Sequence, residues 1–243
     1  MSTAKRQLAI VAVIVVAFSV SPSAQWPRRQ QPSVPKRPDG QVNMTAPTPR
    51  TPDGRPDLSG IWDVSPRREK PGEAPPGRPP LAVFANIGVA MVGGLPYQPW
   101  AAELSKKRVA NQRYDNPDAL CLPQGPLQLH LDPQPRQIYQ MPGRTLIVYE
   151  SNYGLRTIHT DGRPLPKLGE PQPYWLGYSI GRWEGDTFVV ESNNFRGVQG
   201  GLAADAWLDQ LGSPYTDALR LTERFRRVNF GNLEIDVTID DPK

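Results

Sequence analysis

From residue 136 to the end of the chain, apolar and polar residues alternate in short runs. That period of two predicts strands at 136–141, 145–150, 155–159, 177–183, 187–192, 218–227 and 233–239. The last run is the clearest: Leu233, Ile235, Val237 and Ile239 alternate with Glu234, Asp236, Thr238 and Asp240. One apolar face and one wet face is the pattern of an antiparallel sheet. Turn chemistry separates the runs. Pro142-Gly143 joins the first pair, Asp161-Gly162 ends the third, and Glu184-Gly185-Asp186 is a tight hairpin signal. A further short strand is expected around Gly60-Ile61-Trp62. So many short strands at close spacing predict a mainly β fold, an antiparallel meander closing into a barrel or sandwich. The period changes once, at 99–113, where a helix is expected. Pro99 suits its first turn, Trp100, Leu104 and the stem of Lys107 share one side, and Asn116-Pro117 stops it.

The first residues follow another logic. Lys5 and Arg6 precede an unbroken apolar run, Leu8 to Phe18, and then small residues from Ser19 to Ala24. This is the order of a secretory signal peptide, with a cut expected after Ser23 or Ala24. The apolar run is shorter than the roughly 20 residues of a spanning helix. A periplasmic or secreted protein is therefore expected, with no membrane span once the signal is removed. Of the 29 prolines, 16 fall between Trp26 and Pro99, so the stretch behind the signal reads as a spacer rather than as core. The expected organisation is a signal peptide at 1–24, a Pro-rich disordered spacer at 25–56, and a β domain at 57–243 with a loop and helix insertion at about 65–127.

Charge changes one part of this picture. The formal net charge is +4. Lys5 and Arg6 belong to the signal. In 25–56, Arg28, Arg29, Lys36, Arg37, Arg50 and Arg55 face only Asp39 and Asp53. The β domain itself is left slightly acidic, without the basic face that nucleic acid requires.

Candidate chemistry is sparse. The lone Cys121 has no partner in the chain for a disulfide and reads as a small buried apolar residue between Leu120 and Leu122. The two histidines, His130 and His159, are expected on separate strands without ligand-spaced neighbours, so no metal site and no cofactor is expected. Gly177-Tyr178-Ser179-Ile180-Gly181 fits G-x-S-x-G, but Ser179 falls mid-strand and no His follows it, which rules out a nucleophile elbow.

Gly60-Ile61-Trp62 resembles the Gly-x-Trp signature of lipocalin-like (calycin) barrels. The resemblance implies that Trp62 is a structural plug at one end of the barrel, covered by an Arg of a late strand: Arg220, Arg224 or Arg226. Longer segments resemble an uncharacterised family of exported bacterial proteins. They are Pro52 to Trp62, Asp161-Gly162-Arg163-Pro164, Gly181 to Thr187, and Asp217 to Arg227. This second resemblance implies export and architecture, not an activity. Two positions depart from it: Leu165 and Tyr215 stand where such proteins often carry His. Those proteins also continue beyond Lys243, which implies further strands after it.

One polar residue breaks the strand pattern. In 218–227, Leu219, Leu221, Glu223 and Phe225 share a face, opposite Arg220, Thr222, Arg224 and Arg226. Glu223 is thus a carboxylate among core positions and needs a partner, which Arg156 or Arg182 could supply. In a barrel cavity the same carboxylate could hook a ligand. Tyr174, Trp175, Tyr178 and Trp183 lie close together in sequence and suit either an apolar pocket or a core cluster. The functional expectation is an exported protein that binds a small, largely apolar ligand, with Trp175, Tyr178, Glu223, Arg224 and His159 at the site and no assigned catalytic residue. The alternatives are an enzyme using Glu223 or His159 as acid or base, and an envelope interaction module.

Overall fold

The structure, a computed structural model, describes residues 34–64, 81–170, 174–198 and 206–243. The expected signal peptide and the first part of the spacer lie outside the described residues. The chain divides into two compact units, 1–43 and 44–243. In the first, Lys36 and Val42 bridge antiparallel around a turn at Gly40, whose φ of +81° suits glycine.

The second unit is mainly β: one curled eight-stranded sheet that forms a half-barrel. Its strands, in both sequence and spatial order, are β1 (Gly60–Trp62), β2 (Arg136–Met141), β3 (Arg144–Tyr149), β4 (Leu155–His159), β5 (Tyr178–Glu184), β6 (Thr187–Asn193), β7 (Arg220–Asn229) and β8 (Asn232–Asp240). All neighbours pair antiparallel except β4 and β5, which run parallel and pair only at Ile158–Ser179 and His159–Ile180. The parallel join follows from the long connection, 160–177, which returns the chain to the same end of the sheet.

The helix expected at 99–113 is α1, Pro99–Ala110. Its inward face is Ala101 and Arg108, one position on from Trp100, which is 39% exposed. Arg108 lies 4.7 Å from the centroid of the buried Trp207 ring and donates to Ala206 O and Gly212 O. Burial lowers the pKa of Arg108 to about 10. A second helix, α2 (Pro126–Leu131), was not expected. Its sequence Leu-Gln-Leu-His-Leu alternates like a strand, and His130 was expected on one. Pro126 to His130 are all buried, so no polar stripe marks the helical period. Leu129 of α2 packs with Leu58, Ile138, Ile147, Ile158, Phe188, Val190 and Phe225 in the main core. Apolar side chains and α2 therefore fill the concave face of the half-barrel. Gly181 permits this packing, since a Cβ there would lie 2.5 Å from Phe188 Cζ.

The second unit begins before the expected boundary at 57. Met44 O and Ala46 O accept from Gly231 N and Phe230 N, each at 2.8 Å, and Thr48 Oγ1 donates to Arg227 O. Arg50 grips Asp186 with both terminal nitrogens, at 2.8 and 2.6 Å. These attachments use backbone and polar groups, so apolar periodicity gives no sign of them.

Trp62 is covered by a late-strand arginine, but the residue is Arg227, with its guanidinium 4.9 Å from the ring centroid. Arg220, Arg224 and Arg226 occupy the opposite parity of β7, whose inward set is Leu221, Glu223, Phe225 and Arg227. Arg227 also donates to Asp57 O, to Phe230 O at 2.6 Å and to Asn229 O at 3.3 Å. It thereby ties the strand entering β1 to the β7–β8 turn. Arg227→Ala is expected to cost about 2–4 kcal/mol in a urea titration, the loss of charge-assisted bonds to partly buried carbonyls. Arg227→Lys should recover little, because one ammonium cannot serve those carbonyls and the Trp62 face together.

Candidate functional site

Two features share Arg156 and Ser179. The first is a buried charge network on the concave face. Glu223 is fully buried and Arg156 is 1% exposed. Arg156 Nη1 donates to Glu223 Oε1 at 2.8 Å, and Nη2 donates to Oε2. The same guanidinium donates from Nε to Ser179 Oγ at 3.2 Å and from Nη2 to Ser192 Oγ at 2.9 Å, and the two hydroxyls lie 2.8 Å apart. Arg156 leaves β4 and thus binds one side chain on each of β5, β6 and β7. From α2, His130 Nε2 meets Glu223 Oε1 at 2.7 Å. An ionised carboxylate only accepts, so Nε2 carries the proton and Nδ1 presents a lone pair toward Tyr149 Oη at 3.4 Å.

The charge states follow from these contacts. Burial alone would raise the pKa of Glu223. The Arg156 charge, its hydrogen bonds and the His130 donor outweigh burial and hold Glu223 well below the usual carboxylate range. Burial lowers the pKa of His130, and the Arg156 and Arg136 charges add to that despite the Glu223 hydrogen bond, so the ring stays neutral. Burial raises the Tyr149 pKa to about 12.

The second feature is a cleft of about 460 Å³ at the parallel seam. β4 and β5 pair at only two positions, and Leu155, Arg156 and Thr157 diverge from the chain at 174–178. Gly177 fixes that divergence. Its φ is +67°, and a Cβ would lie 2.6 Å from Phe195 Cε1 and 2.8 Å from Asn193 O. The walls include Tyr153, His159, Tyr174, Trp175 and Tyr178, and Arg156 and Ser179 reach the cleft from the concave side. His159 stacks on Tyr178 with centroids 5.1 Å apart. Arg163 Nη1 donates to Tyr178 Oη at 3.1 Å and is itself clamped on Asp161. Partial burial and the charges of Arg163 and Arg144, opposed by Asp161, lower the His159 pKa. Arg196 covers one face of Trp175, 4.6 Å from its centroid. At the rim, Tyr153 is 97% exposed, and Asn152 and Tyr153 both have left-handed φ, 53° and 50°. A bulky residue in that conformation is backbone strain of the kind concentrated at ligand clamps.

Of the residues expected at a site, Trp175, Tyr178 and His159 line this cleft together. Glu223 does not. It lies beneath, paired with Arg156, and Arg182 instead binds Glu184 and Glu191 outside. Arg224 is also absent from the cleft: it is on the outer face, 2.9 Å from Glu184. Trp62 sits under Arg227, and Cys121, expected to be buried, is exposed. Sequence reasoning missed Tyr153 and Thr157 as wall residues and Arg156 as a group common to cleft and network. The turn signal Asn152-Tyr153-Gly154 and the inward parity of Arg156 with Ile158 were the available signs. Among the described residues no helix is long and apolar enough to cross a membrane. The chain matches no family model, no curated protein and no solved structure.

Removing one member of the buried pair should be costly. Glu223→Leu and Arg156→Met are each expected to lose about 3–5 kcal/mol, while the double variant recovers most of that, as read from a double-mutant cycle in denaturant. The network also sets a pH profile. Unfolded His130 takes up a proton below its ordinary 6.5 and the folded ring resists it, so stability falls as pH drops below 6.5. Glu223, depressed when folded, adds a second loss that begins near its ordinary 4.5. Unfolded Tyr149 ionises above 10 and the folded residue only near 12, so stability falls again across that window. Melting temperatures against pH should show this plateau, and His130→Gln should reduce its shoulder near 6.5 to the part that the lowered His159 contributes.

Proposed function

We propose that the protein is an exported small-molecule-binding protein whose ligand occupies the β4–β5 cleft. The observation that carries this reading is the aromatic wall itself: Trp175, Tyr178, His159 and Tyr153 gathered around a volume in the range of small-molecule sites, with Arg156 as the one Lys, Arg, Asp or Glu among the lining residues. The left-handed Tyr153, held out at the rim, supports it. The charged, apolar and small-residue order of the first 24 residues supports delivery to the periplasm or the exterior. The likeness of several segments to exported bacterial proteins agrees with that delivery, and Trp62 under Arg227 is read as the plug of a lipocalin-like half-barrel. Glu223 is sealed in its ion pair and serves the scaffold rather than the ligand.

Native mass spectrometry of the exported protein is expected to show a small molecule of a few hundred daltons bound to a chain beginning at Ala24 or Gln25. Thr157→Trp, which fills the cleft, should leave the fold intact and remove the adduct. An adduct retained at the same occupancy in Thr157→Trp would overturn the cleft as the site. A chain still beginning at Met1 would overturn export with cleavage.

A further inference from the structure

We infer that the cleft selects uncharged aromatic ligands and discriminates against anions of the same shape. This rests on the reading of the cleft as a ligand site and adds the class of ligand. Arg156 is the one Lys, Arg, Asp or Glu side chain among the lining residues. Its guanidinium is already committed: both Glu223 oxygens, Ser179 Oγ and Ser192 Oγ take its donors. A ligand anion brought to the floor would lose its water and find no free cation, and with Glu223 close behind it would be repelled. Arg163 stands beside the wall but is held by Asp161 on two of its nitrogens and by the Tyr178 hydroxyl on the third. Arg144, opposite His159 in the β3–β4 register, is exposed and screened by solvent, and Arg196 is stacked on one face of Trp175; both are outside the lining.

What the walls offer is different. Tyr178 and His159 present a stacked pair. Trp175, with Arg196 over one face, has its remaining surface for the cleft. Ring-on-ring packing of this kind favours a flat partner. The polar contacts are neutral ones. No described side chain hydrogen-bonds the His159 ring, and the depressed basicity of that ring leaves one nitrogen as an acceptor. Tyr178 Oη accepts from Arg163 and so keeps its own proton to donate. A planar, uncharged molecule with one donor meets these groups without desolvating a charge.

N-phenyl-1-naphthylamine and 8-anilinonaphthalene-1-sulfonate test this directly. They share one ring skeleton and one N–H, and differ by a sulfonate. Each is titrated into the full mature chain, and into Thr157→Trp and Tyr178→Ala, with dye fluorescence and energy transfer from tryptophan as readouts. Circular dichroism confirms that the variants fold. The neutral dye is expected to bind at least about tenfold more tightly than the sulfonate, and both variants should lose that binding. Equal or tighter binding of the sulfonate, displaced by the neutral dye and lost in the variants, would overturn the charge selectivity while leaving the cleft as a ligand site. Binding of either dye that both variants leave unchanged would overturn the cleft itself.

Discussion

One buried ion pair bridges the sheet across its parallel join. Arg156 on β4 and Glu223 on β7 are not neighbours in the sheet, since β5 and β6 lie between them. The guanidinium crosses that distance by running over the concave face and taking a serine from each intervening strand on its way to the carboxylate. Such a pair repays its desolvation only when nearly every donor and acceptor is used, and here the two serines and His130 complete the set. The position of the pair matters as much as its strength. The β4–β5 join has only two paired positions, the thinnest backbone ladder in the sheet. The side-chain bridge spans this weak join, so the antiparallel halves on either side act as one curled surface.

The half-barrel is filled rather than hollow, and the element that fills it also serves the pair. Buried charges need fixed donors to offset their desolvation, and α2 supplies one. Leu129 packs into the apolar core while His130, one residue on, donates to Glu223 and meets Phe225 and Tyr149 edge-on. Gly125 allows α2 to start so close to the 206–208 segment, since a Cβ there would lie 2.6 Å from Trp207 O. With the concave face closed in this way, space for a ligand remains where the sheet itself parts.

How much of this was legible in the sequence depends on the kind of contact. The strands were legible because period two and turn residues act over a few neighbours, and the parity of β7 singled out Glu223 as a buried carboxylate. The same parity, carried two residues further, leads to Arg227 as the cover for Trp62. It also places Arg224 on the outer face, in conflict with any part for it in an inward site. α2 was not legible, because a helix buried on every side loses its stripe and its alternating leucines imitate a strand. The attachment of 44–56 was not legible either, since Arg50–Asp186 and the Met44 and Ala46 carbonyls leave no periodic trace.

The cleft was legible only in its parts. Tyr174, Trp175 and Tyr178 are close in sequence, and their clustering suited a core as well as a pocket. What turns them into a wall is the register of β4 against β5, a long-range fact set by Gly177 and the 160–177 connection. That geometry separates two roles which sequence reasoning had merged into one site. The carboxylate stays inside with its arginine and fixes the frame, while the aromatic residues and His159 stand at the opening. A charge fully spent on the frame is not available to a ligand, so the chemistry of the opening is set by what the ion pair leaves over: flat apolar surfaces, a neutral ring nitrogen and a hydroxyl.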